Sequence, residues 1–592
     1  MKKTYTLGRE TPLEDTIEKM QGLLQFHGFN IIDKNWLNPV PRVWSVHIRD
    51  TDCDLLSANG KGDSPKAALA SALGEFFERL STNFFFADYW LGEKFSTEEF
   101  VHFPDEKWFQ DISPPKGCEN KNSKNTLSLL DAHLRHIYDP DQTMTADMLV
   151  DLFSGRQERG ICALPFKRVK DNKTILFPVN ILDNLYASNG MAAGNTLNEA
   201  VVQALSEIIE RSIKNRIISR GIGLPDIPPA VIDQYPHISQ GIKILEKGNY
   251  KLFLKDASLG GKFPVVNITL VNRETSGCYA AFGAHPDFET ALLRCFTELL
   301  QGRTTDQLDT FPLPSFDLDI TGDPENLETH FVDSSGIIPW QMLKDDPDYS
   351  FFSWGCKGST EQMKEQLLTL MDQEGYQVYM ASYKHLGIDV CRILVPGFSE
   401  IYPVDELYWN NNSQAVFLHP FIFSLKDLDR KELDTFFQML FQEELSDIKP
   451  LALQLGIPEE ENSIWEDLYL PEIKACLCLA LGHPDRAAQE IKTLLFSGYV
   501  HKNKQRHYQC LSAILQLHLK GVDSDGYKRI LVTCFGEKTV SRCQDMAKGK
   551  SIFNGLQDLN RFEALTSRQA VFKAYLKTQK AKQHWYEHRK RT

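Results

Sequence analysis

Several features that define common classes of protein are missing from this chain of 592 residues. Its twelve cysteines include no C-x-x-C pair, which argues against a zinc ribbon, and their scatter suits a reducing cytosol better than a disulfide scaffold. No run approaches the ~18 apolar residues of a membrane span. No apolar stretch follows the two lysines near the start, so we expect a cytoplasmic protein without a signal peptide.

Positive charge is also in deficit. The chain has 79 acidic and 65 basic residues, for a formal net charge of −14. This balance argues against nucleic acid or an anionic membrane as the main partner. Hydrophobic content of 42% and charged content of 24% are ordinary for a globular protein. The length is enough for two or three domains with a large core.

The usual phosphate-binding loops are missing as well. A P-loop needs G-x-x-x-x-G-K-[ST], and the nearest run, Gly549-Lys550-Ser551, has Gln544 in place of the first glycine. The signature set of the protein kinases does not occur. Any nucleotide site in this chain must therefore be of another kind.

What the sequence does contain is an unusual acidic helix. Residues 71–81 read SALGEFFERLS, and helical spacing places Ser71, Glu75 and Glu78 within one narrow arc. A solvated helix face usually interleaves lysine with glutamate, because like charges three residues apart repel each other. No lysine lies in this arc, and the neighbouring Gly74 would let a ligand approach closely. A solvated acidic face remains the alternative.

The same pattern returns twice along the chain. Residues 198–211, NEAVVQALSEIIER, align with residues 66–79, KAALASALGEFFER. A weaker third copy, residues 289–301, has Glu298 in the place of Glu75 and Gln301 in the place of Glu78. The aligned identities between the first two copies are Ala68 and Ala200, Ala72 and Ala204, Leu73 and Leu205, Glu75 and Glu207, Glu78 and Glu210, and Arg79 and Arg211.

Each copy begins in the same way. A short strand-like run and a glycine-bearing turn (LLSANGKG, LYASNGMAAG and YAAFGAHP) precede the helix. The predicted N-caps are Ser64, Thr196 and Asp287. We therefore predict an α+β domain with an internally repeated strand–turn–helix unit, in which each helix has an outward acidic stripe.

The polar residues of the three stripes indicate a common site. If the helices converge, the clustered carboxylates must be protonated or neutralised by cations. Carboxylate oxygens favour hard ions such as Mg²⁺, which usually arrives with substrate phosphates, and Arg79, Arg211 and Arg294 would supply positive charge for those phosphates. Solvated faces and another metal remain open. A di-iron site is disfavoured because Glu78, not histidine, lies three residues after Glu75.

The three stripes resemble the ATP-binding motifs of the YcaO family. They read S-x-x-x-E-x-x-E-R from Ser71, E-x-x-x-Q-x-x-x-E-x-x-E-R from Glu199, and R-x-x-x-E from Arg294. The three patterns occur in the family's order, and the similarity extends over essentially the whole chain. The resemblance implies a YcaO-type ATP fold that activates backbone amides by phosphorylation, with ATP and Mg²⁺ as cofactors.

The resemblance also implies roles for individual residues. Asn195 is expected beside the adenosine, and Arg9 stands where related proteins have a phosphate-binding lysine. The expected Mg²⁺ ligands are Glu75, Glu78, Glu207, Glu210 and Glu298. The expected nucleotide contacts are Arg9, Ser71, Glu75, Asn195, Glu199, Gln203, Arg211 and Arg294.

One departure from the family concerns the reaction. Azoline-forming members tend to end in a proline-rich tail, whereas this chain ends KQHWYEHRKRT. Similarity to stand-alone bacterial members implies instead that the chain assists β-methylthiolation of an aspartate in a small-subunit ribosomal protein, together with a radical methylthiotransferase. A peptide cyclodehydratase, a regulatory ATP-binding protein and a non-catalytic scaffold remain as alternatives.

The character of the chain changes near residue 425. We predict an ATP-binding domain over residues 1–424 and a helical interaction domain over residues 425–592. Residues 478–495 resemble a tetratricopeptide helix pair with Gly482 at the turn, although the spacing of the repeats is irregular. Stacked helices offer a surface for a partner or for a homodimer. The basic end, which includes Lys580, Lys582, Arg589, Lys590 and Arg591, is interpreted as a solvated tail.

Overall fold

The computed structural model describes most of the chain. The described residues are 3–92, 98–109, 129–151, 159–304, 307–308, 310–404, 412–442, 445–556 and 558–591. Among them, no helix combines the length and the apolar character needed to cross a bilayer.

The strands form three separate antiparallel sheets. The first sheet has the order β1-β2-β3, the second β4-β5-β11-β12-β7 with β6 also paired to β5, and the third β10-β9-β8. The strands are β1 Ile31–Val40, β2 Val43–Asp50, β3 Ser57–Gly62, β4 Lys107–Phe109, β5 Ile161–Arg168, β6 Thr174–Pro178, β7 Met191–Gly194, β8 Tyr250–Asp256, β9 Val265–Asn272, β10 Cys278–Ala284, β11 Tyr379–Tyr383 and β12 Asp389–Leu394.

Helices lie between and around these sheets and make up most of the chain after residue 412. They are α1 Leu13–Phe26, α2 Pro65–Ser81, α3 Ala132–Tyr138, α4 Val179–Leu185, α5 Leu197–Arg220, α6 Pro229–Ile232, α7 Pro236–Lys247, α8 Phe288–Glu298, α9 Leu318–Thr321, α10 Pro324–Val332, α11 Thr360–Gln373, α12 His419–Phe423, α13 Arg430–Gln442, α14 Leu451–Gln454, α15 Leu470–Leu481, α16 Pro484–Ser497, α17 Lys502–Leu519, α18 Lys528–Phe535, α19 Glu537–Ala547 and α20 Thr566–Arg591. The predicted α+β architecture followed by a helical part is confirmed.

The repeated unit exists as three strand–helix pairs: β3 with α2, β7 with α5, and β10 with α8. The predicted caps are present in each pair. Ser64, Thr196 and Asp287 accept hydrogen bonds from backbone N–H groups of the first helical turn. These side chains satisfy donors that have no partner within the helix, and so they define where each helix begins.

Glycines allow each strand to lie directly against its helix. A Cβ on Gly60 would lie 2.0 Å from the carbonyl oxygen of Ala68, and one on Gly283 would lie 2.4 Å from that of Ala291. The glycines are 283 − 60 = 223 residues apart, and Glu75 and Glu298 have the same separation, 298 − 75 = 223. The first and third units therefore share one packing geometry. In both, the strand residue that faces the helix must be glycine, because a Cβ would clash with the helix backbone.

The three units close into a ring. Helix α2 packs on its own strand β3 and also on β7, α5 packs on β7 and β10, and α8 packs on β10 and β3. Each helix thus contacts the strand of the next unit, and the third returns to the first. This cyclic packing places one face of each helix toward the centre of the domain.

The helices after residue 412 have their own hydrophobic core, which includes Trp465, Leu470 and Ile514. Helices α15 and α16 form an antiparallel pair whose turn is Gly482, with φ of +85°. This matches the predicted position of the turn. A tetratricopeptide classification stays a prediction, as do the domain limits at residues 424 and 425.

The final helix, α20, leaves this second core and packs on the first. Tyr575 lies in the first core and donates a hydrogen bond of 2.5 Å to the carbonyl of Val101. Lys582 is fully buried, donates to the carbonyl of His102 at 2.8 Å, and also bonds the side chain of Asn83. The interpretation of the basic end as a solvated tail is therefore wrong for Lys582, whereas Lys580 is exposed. The side chains of residues 589–591 lie outside the described residues.

Candidate nucleotide and metal site

The acidic stripes of α2 and α5 meet inside the ring. The Glu75 carboxylate raises the pKa of Glu207, and the Glu207 carboxylate raises the pKa of Glu78. The carboxylates of the two helices therefore lie close to each other. The predicted convergence of these two helices is therefore observed.

The third helix joins the same cluster through positive charges. Glu298, at the end of α8, forms an ion pair with Lys61 of β3. Lys61 in turn interacts electrostatically with Glu75, Glu207 and Glu210. The five carboxylates predicted to bind metal therefore surround one region, with Lys61 among them.

Two further cations come from the helices themselves. Arg79 pairs with Glu75, and Arg211 pairs with Glu207 at 2.7 Å, each one turn along its helix. These carboxylates and guanidinium groups retain between about a fifth and a third of their exposure. The cluster is therefore surrounded by protein and still open to a ligand.

Glu78 differs from its neighbours. Burial and the nearby Glu207 and Glu75 raise its pKa well above the ordinary value. Among the described residues, no ion pair or hydrogen bond holds its carboxylate. Burial also raises the pKa of Glu75 and of Glu207, and their arginine partners oppose the increase. The charges of Arg79 and Arg211 offset the rise in the pKa of Glu78 only in part, so a bound cation would relieve the remaining repulsion.

Glu210 projects toward the third sheet. Its Oε2 atom accepts a hydrogen bond of 3.3 Å from the backbone N–H of Ala284, at the end of β10. This contact links the second helix to the third unit, next to the turn that leads into α8.

The residues predicted to contact nucleotide form an adjoining group around Glu199. Its buried side chain accepts hydrogen bonds from the backbone N–H groups of Asn195 at 3.0 Å and Glu10 at 2.5 Å, and from the Asn195 amide at 3.2 Å. Arg9 forms an ion pair with Glu199 at 3.4 Å. The structure thus brings the N-terminal segment onto the first turn of α5, although 190 residues separate Arg9 from Glu199.

Gln203 and Arg294 connect the two groups. The Arg294 guanidinium donates to the side-chain oxygen of Gln203 and, at 3.4 Å, to the carbonyl of Ala284. Burial lowers the pKa of Arg294 to about 10, and the charge of Arg9 adds to this shift. Two cations are thus held close together, as phosphate oxygens require.

Ser71 lies one turn before Glu75 on the same face of α2 and is half-buried. A methyl group added to Gly74, next to these residues, would meet no atom of the described residues within 4 Å outside the backbone of its own helix. Open space therefore exists beside the carboxylates, as the small side chains indicate.

Two residues of the cluster do not appear among the sequence-based candidates. Lys61 lies at the end of β3 in the run ANGKG, where a lysine between two glycines is a visible signal. Lys214 lies four residues after Glu210 on the same face of α5, and it donates to the carbonyl of His330 at 2.6 Å. Burial lowers its pKa to about 8.

The chemistry of this donor set fits Mg²⁺ with a polyphosphate. Every acidic donor is a carboxylate, which suits a hard cation. Arginines from all three helices, together with Arg9, supply the fixed charge for phosphate oxygens.

The comparisons with known proteins agree with this chemistry. Residues 59–399 match the family described as YcaO cyclodehydratase, ATP- and Mg²⁺-binding, and residues 415–584 match the YcaO cyclodehydratase C-terminal domain. The chain belongs to the YcaO family, whose first domain binds ATP and Mg²⁺. The expected family and its cofactors are thereby confirmed.

Two relatives are similar along their whole length. The chain is 43% identical to the ribosomal protein S12 methylthiotransferase accessory factor YcaO of Escherichia coli, over 98% of this chain and 99% of the relative. It is 42% identical to an uncharacterised protein of Haemophilus influenzae, over the same shares of both chains.

Solved structures show more distant similarity. A heterocyclase in complex with substrate and cofactor has a TM-score of 0.44 and 18% identity, over 71% of this chain and 56% of the other. YcaO from Methanopyrus kandleri bound with AMPPCP and Mg²⁺ has a TM-score of 0.40 and 16% identity, over 67% of this chain and 93% of the other.

Proposed function

We propose that the pocket enclosed by α2, α5 and α8 binds Mg²⁺ and ATP and that the chain uses ATP to activate an amide. The metal ligands in this proposal are Glu75, Glu78, Glu207, Glu210 and Glu298. The nucleotide contacts are Arg9, Ser71, Glu75, Asn195, Glu199, Gln203, Arg211 and Arg294.

The observation that best supports the proposal is the Glu78 carboxylate, which faces Glu75 and Glu207 and has no ion-pair partner among the described residues. Neutralising such a group requires a proton or a metal ion. The two arginines that pair with the neighbouring carboxylates, Arg79 and Arg211, lie at the same cluster. Glu75 and Glu207 would hold the metal, and these arginines would lie beside it and offer positive charge to phosphate oxygens.

When bound, ATP supplies a phosphoryl group that converts an amide oxygen into a leaving group. The residues of this chain would orient the bound ATP and stabilise the charge on its transferring group. Arg211 and Arg294 would offset negative charge on the transferring group, and Glu199 holds Arg9 in place through their ion pair. The substrate, a separate polypeptide, would supply both the amide and the nucleophile that adds to its carbon.

Isothermal titration with Mg²⁺ and ATP tests this proposal. Glu75→Gln and Glu207→Gln keep side-chain size and remove charge, and we expect each to weaken ATP binding by about 100-fold, the upper end of the loss caused by replacing even an outer-shell partner of a metal. Glu365→Gln is the matched control, because Glu365 is an exposed residue of α11. Equal affinity in all four proteins would overturn the proposal.

The similarity to the E. coli accessory factor supports a biological role. We propose that the chain acts in the cytoplasm with a radical methylthiotransferase, assisting β-methylthiolation of an aspartate in ribosomal protein S12. Its helical C-terminal part would serve association, including a homodimer. Mass spectrometry of S12 from cells that contain only the Glu75→Gln protein is the test, and we expect loss of the modification.

A non-catalytic scaffold is the second candidate, supported by the close packing of the helical part on the first core through α20. Under this alternative the Glu75→Gln protein would fail to bind ATP and S12 would still be modified. Analysis of the nucleotide products, ADP with phosphate or AMP with pyrophosphate, then separates an enzyme from a protein that only binds ATP.

A further inference from the structure

An exposed apolar and acidic surface lies on the segment 313–348, outside the nucleotide pocket. Its exposed apolar residues include Phe316, which keeps 73% of its accessible surface, and Val332, which keeps 72%. The other members are Leu313, Ile320 and Trp340. Large apolar side chains at this exposure usually mark an interaction site when they occur in a group.

The centre of this surface is well ordered. The rings of Phe316 and Trp340 stack with centroids 6.0 Å apart. The backbone holds them together, since Ser315 donates to the carbonyl of Ile338 at 3.0 Å and Trp340 donates to the carbonyl of Ser315 at 3.0 Å. The aromatic pair is therefore preformed rather than a chance exposure of a loose loop.

A second set of hydrogen bonds, made by the Asn326 side chain, holds the middle of the segment together. The side chain of Asn326 donates to the carbonyls of Thr321 at 2.8 Å and Ile337 at 3.0 Å, and it accepts from the N–H of Ile337 at 2.7 Å. Helices α9 and α10 are thus tied to the strand-like stretch before Trp340. A rigid surface loses little conformational entropy when a partner binds.

The charges on the same segment specify the partner. The 36 residues from 313 to 348 contain nine carboxylates and one lysine, whereas the whole chain has 79 acidic and 65 basic residues. The lysine, Lys344, is already paired with Asp348. The exposed carboxylates are Asp317, Asp319, Asp323, Glu325, Asp333, Asp345, Asp346 and Asp348.

This composition selects one class of macromolecule. Nucleic acid and anionic membranes are repelled by such a surface. A polypeptide rich in lysine and arginine is attracted to it, and apolar side chains of the same polypeptide can cover Phe316 and Trp340. We propose that the 313–348 surface is the docking site for a basic polypeptide segment.

The surface is joined to α5, the helix with the largest share of the predicted site residues. Thr321 donates to the carbonyl of Ile218 at 3.2 Å, and Lys214 donates to the carbonyl of His330 at 2.6 Å. The Arg211 guanidinium lies 4.6 Å from the ring centre of Phe331, the neighbour of Val332. A docked segment is therefore held beside α5. The docking site is distinct from the nucleotide pocket and does not depend on the ATP-dependent reaction.

Fluorescence anisotropy with the full-length protein tests this inference. The probe is a fluorescein-labelled synthetic peptide of alternating lysine, arginine and leucine residues. We expect Phe316→Ala to weaken its binding about tenfold, the effect typical of a central aromatic residue. Phe496→Ala is the matched control, because Phe496 is 91% exposed on α16, in the other part of the protein.

A second pair of variants tests the charge. Asp345→Asn with Asp346→Asn should weaken binding about fivefold at low salt and reduce its dependence on salt. Asp434→Asn with Glu537→Gln removes two exposed charges from the helical part and should leave binding within about twofold. ATP affinity, measured by titration, should be unchanged in all these proteins, which separates this inference from the proposed nucleotide site.

Two results would overturn the inference. One is equal loss of peptide binding in the surface variants and in their controls, which would mean that the probe responds only to net charge. The other is dissociation of an oligomer by Phe316→Ala, seen by light scattering, with peptide binding unchanged. In that case a second copy of the chain covers the surface.

Discussion

Lys61 and Glu298 form an ion pair that closes the ring of repeated units. Lys61 belongs to the first strand and Glu298 to the third helix, and 298 − 61 = 237 residues separate them. The lysine also faces carboxylates of the first two helices. It therefore occupies, in part, the place where a metal ion would neutralise the cluster.

Replacing this lysine should expose its role as a counterion. Lys61→Met leaves Glu298 without its partner, so we expect a loss of stability of about 1 kcal/mol without Mg²⁺. Added Mg²⁺ should raise the melting temperature of the variant more than that of the wild type, because the metal no longer competes with an ammonium group. Thermal unfolding with and without Mg²⁺ measures both effects, and an equal metal-induced shift would contradict this view.

The N-terminal segment should contribute to nucleotide binding through Arg9. Arg9→Ala removes the cation next to Glu199 and Arg294, and we expect ATP affinity to fall about tenfold. Arg9→Lys retains charge and should bind ATP more tightly than the alanine variant. Calorimetric titration provides the measurement. The control is Lys3→Ala, since Lys3 is exposed and pairs with Asp15, and unchanged affinity of Arg9→Ala would exclude this role.

The buried Lys214 should make stability depend on pH. Burial lowers its pKa to about 8, whereas in the unfolded chain it is about 10.4. Between these values the unfolded state binds more protons, so the free energy of unfolding gains a contribution that rises with pH by up to about 1.4 kcal/mol per unit. Lys214→Met lacks this contribution. Urea unfolding of the wild type and of Lys214→Met from about pH 7.5 upward measures this contribution. The difference should develop between about pH 8 and about pH 10.4, the pKa values of Lys214 in the folded and unfolded states. Parallel curves would show that Lys214 titrates normally.

The strand glycines should tolerate no side chain. Gly60→Ala places a Cβ 2.0 Å from a backbone oxygen, and we expect destabilisation of more than about 3 kcal/mol. Gly74→Ala is the control, because its Cβ would meet nothing within 4 Å in the described part of the chain beyond its own helix backbone, and alanine favours a helix by about 0.5–1 kcal/mol. Denaturant unfolding tests both. A Gly60→Ala protein as stable as the wild type would contradict the observed packing.

The last helix should be part of the first core rather than an appendage. Lys582→Ala removes bonds to the carbonyl of His102 and to Asn83, and the free energy of unfolding should fall by about 2–3 kcal/mol. Lys580→Ala, two residues earlier and exposed, should change it by less than about 0.5 kcal/mol. Similar effects of the two substitutions in thermal or urea unfolding would show that α20 does not stabilise the first core.

The local features of this protein are predictable because they depend on short-range rules. Helical periodicity places Glu75 and Glu78 on one face, and the caps at Ser64 and Thr196 follow from side chains that satisfy free backbone donors. The repeat is visible because identical packing against a strand demands the same small residues in each copy.

The site itself was decided by tertiary packing. The amino-acid sequence determined three helices with acidic stripes, their order, and the family to which the chain belongs. Only the tertiary structure brought Lys61 to Glu298, Arg9 to Glu199, and the buried Lys582 to Asn83, because each contact joins residues far apart in the chain. Spacing along a chain specifies which face of a helix a residue occupies, and the closure of the sheets specifies what that face meets.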